Sequence, residues 1–474
     1  MQIPILSGIY TSEAPDFRVS YPRNMQPVPR AQGISNGYLR PAEGVVQVGT
    51  GPGLARGGIV WNGVSYRVQG SSLVRVDDDG TVTVLGTIAG SGRCSFDYSF
   101  DRLAIAGGGN LYYWNGALTQ VIDPDIGLVL DVMFRDGYFV TTDGTSNVVT
   151  DLNDPMSVNP LKYGSSEADP DPIKCNLTAR AGEFYSVNRF TIEMFENVGG
   201  TGYPFARVAG AQINRGAIGT HTATLFKVDG TDQIAFLGGG RTKQSVEPPA
   251  VWVGVNGASQ KISTSEIDKV LRNYTEAQLA EAVLETRLND THALLYVHLL
   301  DRTLVYDAAA SAAVQEPVWF TLDSGLGAPA QYRARDFLWC YNGWQCADPT
   351  SGALGRLDET VSTHYGQTIG WEFGTGIVYN GGFGAIFHQL ELVGLPGRVA
   401  FGADPVVWTS YSLDGETWSM ERSVRAGQQG DRRKRLVWMG QGTMEQWRIQ
   451  RFRGTSDAHV AFARLEAQLE PLNA

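Results

Sequence analysis

Apolar and polar residues alternate in short runs along most of this chain, and nearly every run stops at a turn signal. The segment GGIVWNGVSYRVQGSSLVRVDDDGTVTVLGTI (57–88) holds four such runs, with Asn62-Gly63 and Asp79-Gly80 supplying the positive-φ residues that two-residue hairpins demand. FDRLAIAGGGNLYYWNGALTQVID (100–123) repeats the plan, turning at Gly107 to Gly109 and at Asn115-Gly116. Further units span 129–154, 223–240, 294–323 and 335–358. Antiparallel meanders recurring every 35 to 50 residues or so predict a β-propeller, because each small sheet is apolar on both faces and must pack against neighbours until a ring closes. Six units are legible, a seventh is left open, and no WD or kelch consensus is present.

The pattern changes after residue 362. HQLELVGLPG (388–397), PVVWTSYSLDGETWSMERSV (405–424), RLVWMGQGTMEQWRIQRFRG (435–454) and HVAFARLEAQLEPL (459–472) are longer alternating strands. In the last, Ala461, Ala463, Leu465, Ala467 and Leu469 fall on one face. The expectation is an all-β chain in two parts: residues 1–362 as a propeller with an N-terminal segment, and 363–474 as a β-sandwich. The polar stretch DETVSTHYGQT (358–368) marks the boundary.

One stretch has a helical period instead. In ISTSEIDKVLRNYTEAQLAEAVLET (262–286), Ser263 with Glu266 and Thr275 with Gln278 fit capping boxes. Ile267, Val270, Leu271 and Tyr274 form one apolar stripe, and Leu279 and Val283 continue a second. The pattern predicts an insert of two short helices over 263–284, broken at Tyr274-Thr275. It is either a well-capped linker between blades or a surface for another protein, with Glu276 and Glu281 as exposed contact positions.

Composition narrows the function. Net charge is −11 with a pI near 5.1, which argues against a nucleic-acid coat. Four cysteines make no disulfide framework; Cys340 and Cys346 flank YNGWQ and could face each other across a hairpin, but reduced, buried thiols are expected. MQIPILSGIYTSEAPDF has no basic leader, and the longest apolar run, ALLYVHLL (293–300), is too short to span a bilayer. Folding in the cytoplasm without membrane insertion is the expectation.

Candidate chemistry is sparse. SLDGETW (412–418) is one residue short of the Asp-box of sialidases, and that box is a structural hairpin in any case. Asp77 to Asp79 and the Asp169/Asp171 pair are carboxylate clusters without the full spacing of a calcium loop. The histidines at 221, 292, 298, 364, 388 and 459 are scattered, and GGGRTK (238–243) lacks the spacing of a phosphate loop. No catalytic residue, cofactor or metal site is expected. The dense basic run Arg432, Arg433, Lys434, Arg435 is a solvated turn or a contact for an acidic neighbour.

Two stretches carry a resemblance. ISTSEIDKVLRNYTEAQLAEAVLETRLNDTHALLYVHLLDRTLVYDAAAS (262–311) resembles the matching region of the packaged-DNA stabilization proteins of short-tailed, podovirus-type bacteriophages. The agreement lies at Ile262 to Thr264, Ile267, Tyr274-Thr275, Glu285-Thr286, His298-Leu299 and Leu304 to Ala308. YPRNMQPVPRAQGISNGYLRPAEGV (21–45) is similar to that family's opening, at Asn24 and at Gly37 to Arg40, while the C-terminal third agrees in pattern more than in identity. The resemblance implies a propeller-like virion protein and not an enzyme. It further implies a tail hub or nozzle: a homo-hexameric ring below the head-to-tail adaptor protein that retains packaged DNA and docks tailspikes or tail fibres and a tail needle or plug. Tight sequence-specific DNA binding is not expected of it. The alternative is a propeller that binds host-surface carbohydrate or cleaves it as a glycosidase.

Overall fold

The structure is a computed structural model that describes residues 1–474 except 4, 6–21, 31–34, 153, 180–181, 229, 290–291, 400–401, 416, 456–459 and 473–474. Among the described residues, seven antiparallel sheets of four or five strands form a closed cycle. Their inner strands begin the blades in order: Ala55–Trp61, Ser95–Tyr98, Asp131–Arg135, Ile173–Thr178, Ala223–Val228, Val283–Asn289 and Arg335–Cys340. Each packs against the next, and the seventh returns to the first.

Turn chemistry explains why most blades were legible. Asn62 and Gly63 both take positive φ, as a tight hairpin between twisted strands requires. The blade over Ile173–Thr178, Glu183–Asn188, Ile192–Asn197 and Phe205–Arg207 was not read from sequence. Its central turn is Arg189-Phe190, with neither Gly nor Asn, so the usual signal is missing. The fifth blade interrupts its inner line between Gly216–Ala217 and Ala223–Val228, which both pair with Thr231–Gly239.

The ring is closed by sequence-distant pairing. Gly44–Thr50 forms the outer strand of the seventh blade, antiparallel to Ala353–Asp358. Contrary to expectation, the described strands before it pair with the sandwich and not with a blade. Gln2–Ile3 and Gly37–Pro41 pair with Ala461–Pro471, and Met25–Pro29 with Gly37–Pro41, all in a seven-stranded sheet of the C-terminal sandwich. Pro27 and Pro29 in the outermost of these strands obscure its pattern, and an edge is where a sheet tolerates proline. Ile3, Met25 and Leu39 join the sandwich core with Trp371, Phe373, Phe387, Trp438, Phe452 and Phe462.

The second sandwich sheet contains Gly370–Gly374, Trp447–Thr455, Val406–Ser412 and Arg422–Arg425. The expected face of the last strand is only partly right. Leu465 and Ala467 are buried, but so is Phe462, whereas Ala461 and Ala463 are half-buried. A register shift opposite Val393 and Gly394 changes which side chains turn inward.

The helical insert forms α1 (Ser265–Leu271) and α2 (Glu276–Ala280), with Ile267, Leu271 and Leu279 buried as the stripes predicted. The Thr275/Gln278 capping box is present. The first box is not: Thr264 is the N-cap of α1, and the Ser263 hydroxyl instead donates to Asp268 at 2.7 Å while accepting from the Val251 N–H. Val283 lies in a strand rather than in α2. A third helix, α3 (Ala308–Val314), lies inside the unit expected over 294–323, between two of its strands. The buried Asp307 side chain accepts from the Ala310 N–H and starts α3, and the Ser311 hydroxyl ties it to the Asp307 carbonyl.

Candidate interaction surfaces

A repeated device holds the propeller axis. In each of three blades an inner-strand carboxylate accepts backbone N–H groups from the next blade. Asp97 accepts from Phe134 at 2.6 Å, Asp131 from Asn176 at 2.7 Å, and Glu285 from Asp336 at 3.0 Å. Arg93, from the second blade, reaches Glu285 of the sixth at 3.0 Å and Asp336 of the seventh at 2.5 Å. His298 stands 3.5 Å from Glu285.

The charges in this centre are unequal in cost. Burial raises the Asp97 and Asp131 carboxyls to about 6, against the hydrogen bonds that favour ionisation. Burial also pushes Glu285 up, but His298, Arg93 and Arg335 outweigh it and bring that carboxyl down to about 2. Sequence reasoning did not find this network. Its only trace is charge inside otherwise apolar strands, as in LDVMF and LETRL.

Between the inner strands lies a cavity of about 320 Å³, lined by residues that include Arg93, Asp97, Asp131, Asn176 and His221. At roughly 30 Å³ per water it holds on the order of ten waters. Arg93 of the second blade, meeting Glu285 of the sixth and Asp336 of the seventh, crosses the centre of the ring beside this cavity.

The helical insert closes onto a second cluster. Glu276, two-thirds exposed, pairs with the buried Arg189 at 2.7 Å, and that guanidinium holds its carboxyl below the usual range. Glu276 thus has a partner within the molecule while most of its side chain stays exposed. Arg189 and Arg241 lie over the Phe190 ring at 4.3 and 4.6 Å. Asp169 bonds Arg241, and Asp171 accepts from the Phe190 and Thr191 N–H groups, so both carboxylates once weighed for calcium are already engaged. Glu281 caps the end of α2, exposed and without an ion pair among the described residues.

Arg432, Arg433, Lys434 and Arg435 lie exposed in the turn before Leu436–Met439, in the sandwich and so in a different domain from the insert. Arg435 is bound to Glu391 in a two-pronged pair whose Nε contact is 2.7 Å. The other three have no side-chain partner among the described residues. The two expected contact sets thus lie in different domains.

Other candidates resolve into local structure. Asp79 accepts from the Thr81 N–H in its own turn. In SLDGETW, Ser412 and Asp414 brace the hairpin and Trp418 packs under Arg451 at 4.3 Å, while Glu416 lies outside the described residues. His292 pairs with Asp307 and His364 with Ser324; His459 lies outside the described residues. No group of three or more metal-binding side chains occurs among the described residues. All four cysteines are buried free thiols, and no helix among the described residues is long and apolar enough to cross a membrane.

Comparison with known proteins agrees with this architecture domain by domain. Residues 1–362 match the family described as bacteriophage P22 Gp10, β-propeller, and residues 370–470 match its β-sandwich counterpart. The tail hub protein gp10 of Salmonella phage P22 is 28% identical over 387 residues, covering 77% of this chain and 78% of the relative. Among solved structures, the WD40 domain of Neurospora crassa Pan2 is similar at 10% identity with a TM-score of 0.40, over 66% of this chain and 95% of that one. An ancestral GH74 enzyme is similar at 8% identity and a TM-score of 0.43, over 74% of this chain and 53% of that one. With family matches spanning both the propeller and the sandwich, the chain belongs to the phage P22 Gp10 family of structural tail hub proteins, a virion tail component and not an enzyme.

Proposed function

We propose that this hub subunit forms a homo-hexameric ring below the head-to-tail adaptor, retains packaged DNA, and presents attachment sites for tailspikes or fibres and for a needle-like plug. The observation that carries the reading is the family match across both domains. The closed propeller axis supports it physically. With Arg93 pinned between Glu285 and Asp336, any DNA path runs between subunits, through a ring, and not through one chain. Synthesis and folding in the host cytoplasm, followed by addition to a filled head, fit a protein that becomes a ring only where an adaptor templates it.

Imaging of intact particles tests this directly. A stoichiometric ring of this chain below the head, with DNA leaking from particles that lack it, is the expected result. Particles that retain DNA without the chain, or that carry it only as scattered peripheral copies, overturn the proposal.

A further inference from the structure

Charge is distributed very unevenly over this molecule. Residues 121–200, which run from the connection before the third blade into the fourth, carry thirteen Asp and Glu against five Lys and Arg, a net −8 out of the chain's −11. Residues 363–474 carry eleven of each and are neutral, yet they gather their free cations in one place. Arg398 lies beside Gly397, which packs against the backbone of Asp431 and Arg432. Arg398, Arg432, Arg433 and Lys434 are all exposed, and none has an ion pair among the described residues.

The two regions belong to different parts of the chain, the first to the propeller and the second to the sandwich. The sandwich is anchored at the sixth blade and the segment leading to the seventh, where the Asn24 N–H donates to Thr321 and the Gly370 N–H to Gly325. In a cycle of seven, the third blade is directly across from that junction and the fourth is beside it. On the third and fourth blades the carboxylates converge at hairpin ends. Asp136 accepts from Asn197 at 3.0 Å, next to Glu196, and Gly137 packs on Leu152, two residues before Asp154. Asp136, Asp154 and Glu196 are exposed and form no salt bridge among the described residues, and Leu152 and Val198 beside them are more than half exposed.

From this placement we infer a head-to-tail contact between copies of this chain: the Arg398, Arg432, Arg433, Lys434 turn of one copy docks on the Asp136, Asp154, Glu196 face of the next. Two different, complementary patches make a heterologous interface, which closes into a ring when the rotation per copy allows it. Opposed charge steers the approach and fixes polarity, and Leu152 and Val198 supply apolar area at the contact. The same patches repel in any like-to-like pairing, which disfavours a two-fold dimer. The inference rests on the ring reading above and assigns its surfaces.

The test uses full-length chains assembled onto particles. Variant one carries Arg432→Glu, Arg433→Glu and Lys434→Glu; variant two carries Asp136→Lys, Asp154→Lys and Glu196→Lys. Each alone is expected to lose at least tenfold in incorporation. Co-expression is expected to restore it, because the reversed patches then complement each other in alternate positions. Normal incorporation of either variant, or failure of the mixture, overturns the assignment. As a fold-independent check, Lys434→Cys with Glu196→Cys is treated on wild-type-like particles with a short bis-maleimide. An intermolecular ladder is expected, and its absence overturns the contact. If imaging shows a ring while these experiments fail, the ring stands and only this interface falls; if no ring is imaged, the ring reading itself fails.

Discussion

Arg23 and Asp323 meet across 300 residues of sequence, with Nε donating to Oδ2 at 2.5 Å and Nη2 to Oδ1 at 2.8 Å. Asp323 is almost fully buried and also accepts from the Gly325 N–H. The Arg23 backbone exchanges hydrogen bonds with Glu372 of the sandwich, and its neighbour Asn24 bonds to Thr321 of the sixth blade. One two-pronged pair therefore sits where the N-terminal segment, propeller and sandwich come together.

Removing one partner of such a pair strands the other in a poorly solvated site. Arg23→Ala is expected to destabilise by about 3 kcal/mol, and Arg23→Lys by less, because the amine keeps the charge but not the fork. Denaturant unfolding followed by tryptophan fluorescence reads this. An Arg23→Ala loss below about 0.5 kcal/mol would show that the pair does not fasten the domains.

Asp131 gives a pH-dependent prediction. Its carboxyl titrates near 6 in the folded chain because of burial, above its ordinary value, so its ionised form costs stability above pH 6. That cost fades as pH falls through 6 and is gone below about 4. Asp131→Asn retains an acceptor for the Asn176 N–H and a partner for Ser95. The variant is expected to exceed wild type by on the order of 2–3 kcal/mol at pH 8, with the advantage vanishing towards pH 4. A difference independent of pH would refute ionisation as the cause.

Glu276 and Glu281 are expected to separate. Glu281→Lys alters an exposed, unpaired position and should stay within about 0.5 kcal/mol of wild type in stability. Glu276→Lys places a cation against buried Arg189 and should lower stability measurably. If the insert contacts the adaptor, Glu281→Lys impairs attachment in a folded protein; DNA-retaining particles assembled normally with that variant would leave the insert as a capped linker.

Duplex DNA presents one charge per roughly 1.7 Å of axis, and proteins that grip it neutralise phosphates with Lys and Arg. This chain has 49 acidic residues against 38 basic ones, with most of the excess in residues 121–200. The purified protein is expected to show no appreciable duplex affinity at physiological salt, where fields are screened beyond about 8 Å. Anisotropy titration that found tight binding, weakening steeply with added salt, would replace mechanical retention with an adhesive mechanism.

The sequence by itself determined what depends on neighbours along the chain. Asn62-Gly63 sets a hairpin wherever it occurs, Thr275 with Gln278 caps α2, and alternation marks the sandwich strands after residue 362. The charge excess of 121–200 and the basic run at 432–435 are likewise plain in the sequence. Only the tertiary structure decided which distant edges pair: that Gly44–Thr50 completes the seventh blade, that Met25–Pro29 joins the sandwich, and that Glu276 is claimed by Arg189. Backbone hydrogen bonds between remote strands carry no sequence period of their own. A strand's partner is chosen by which apolar faces remain uncovered when the ring closes, and that is a property of the whole chain.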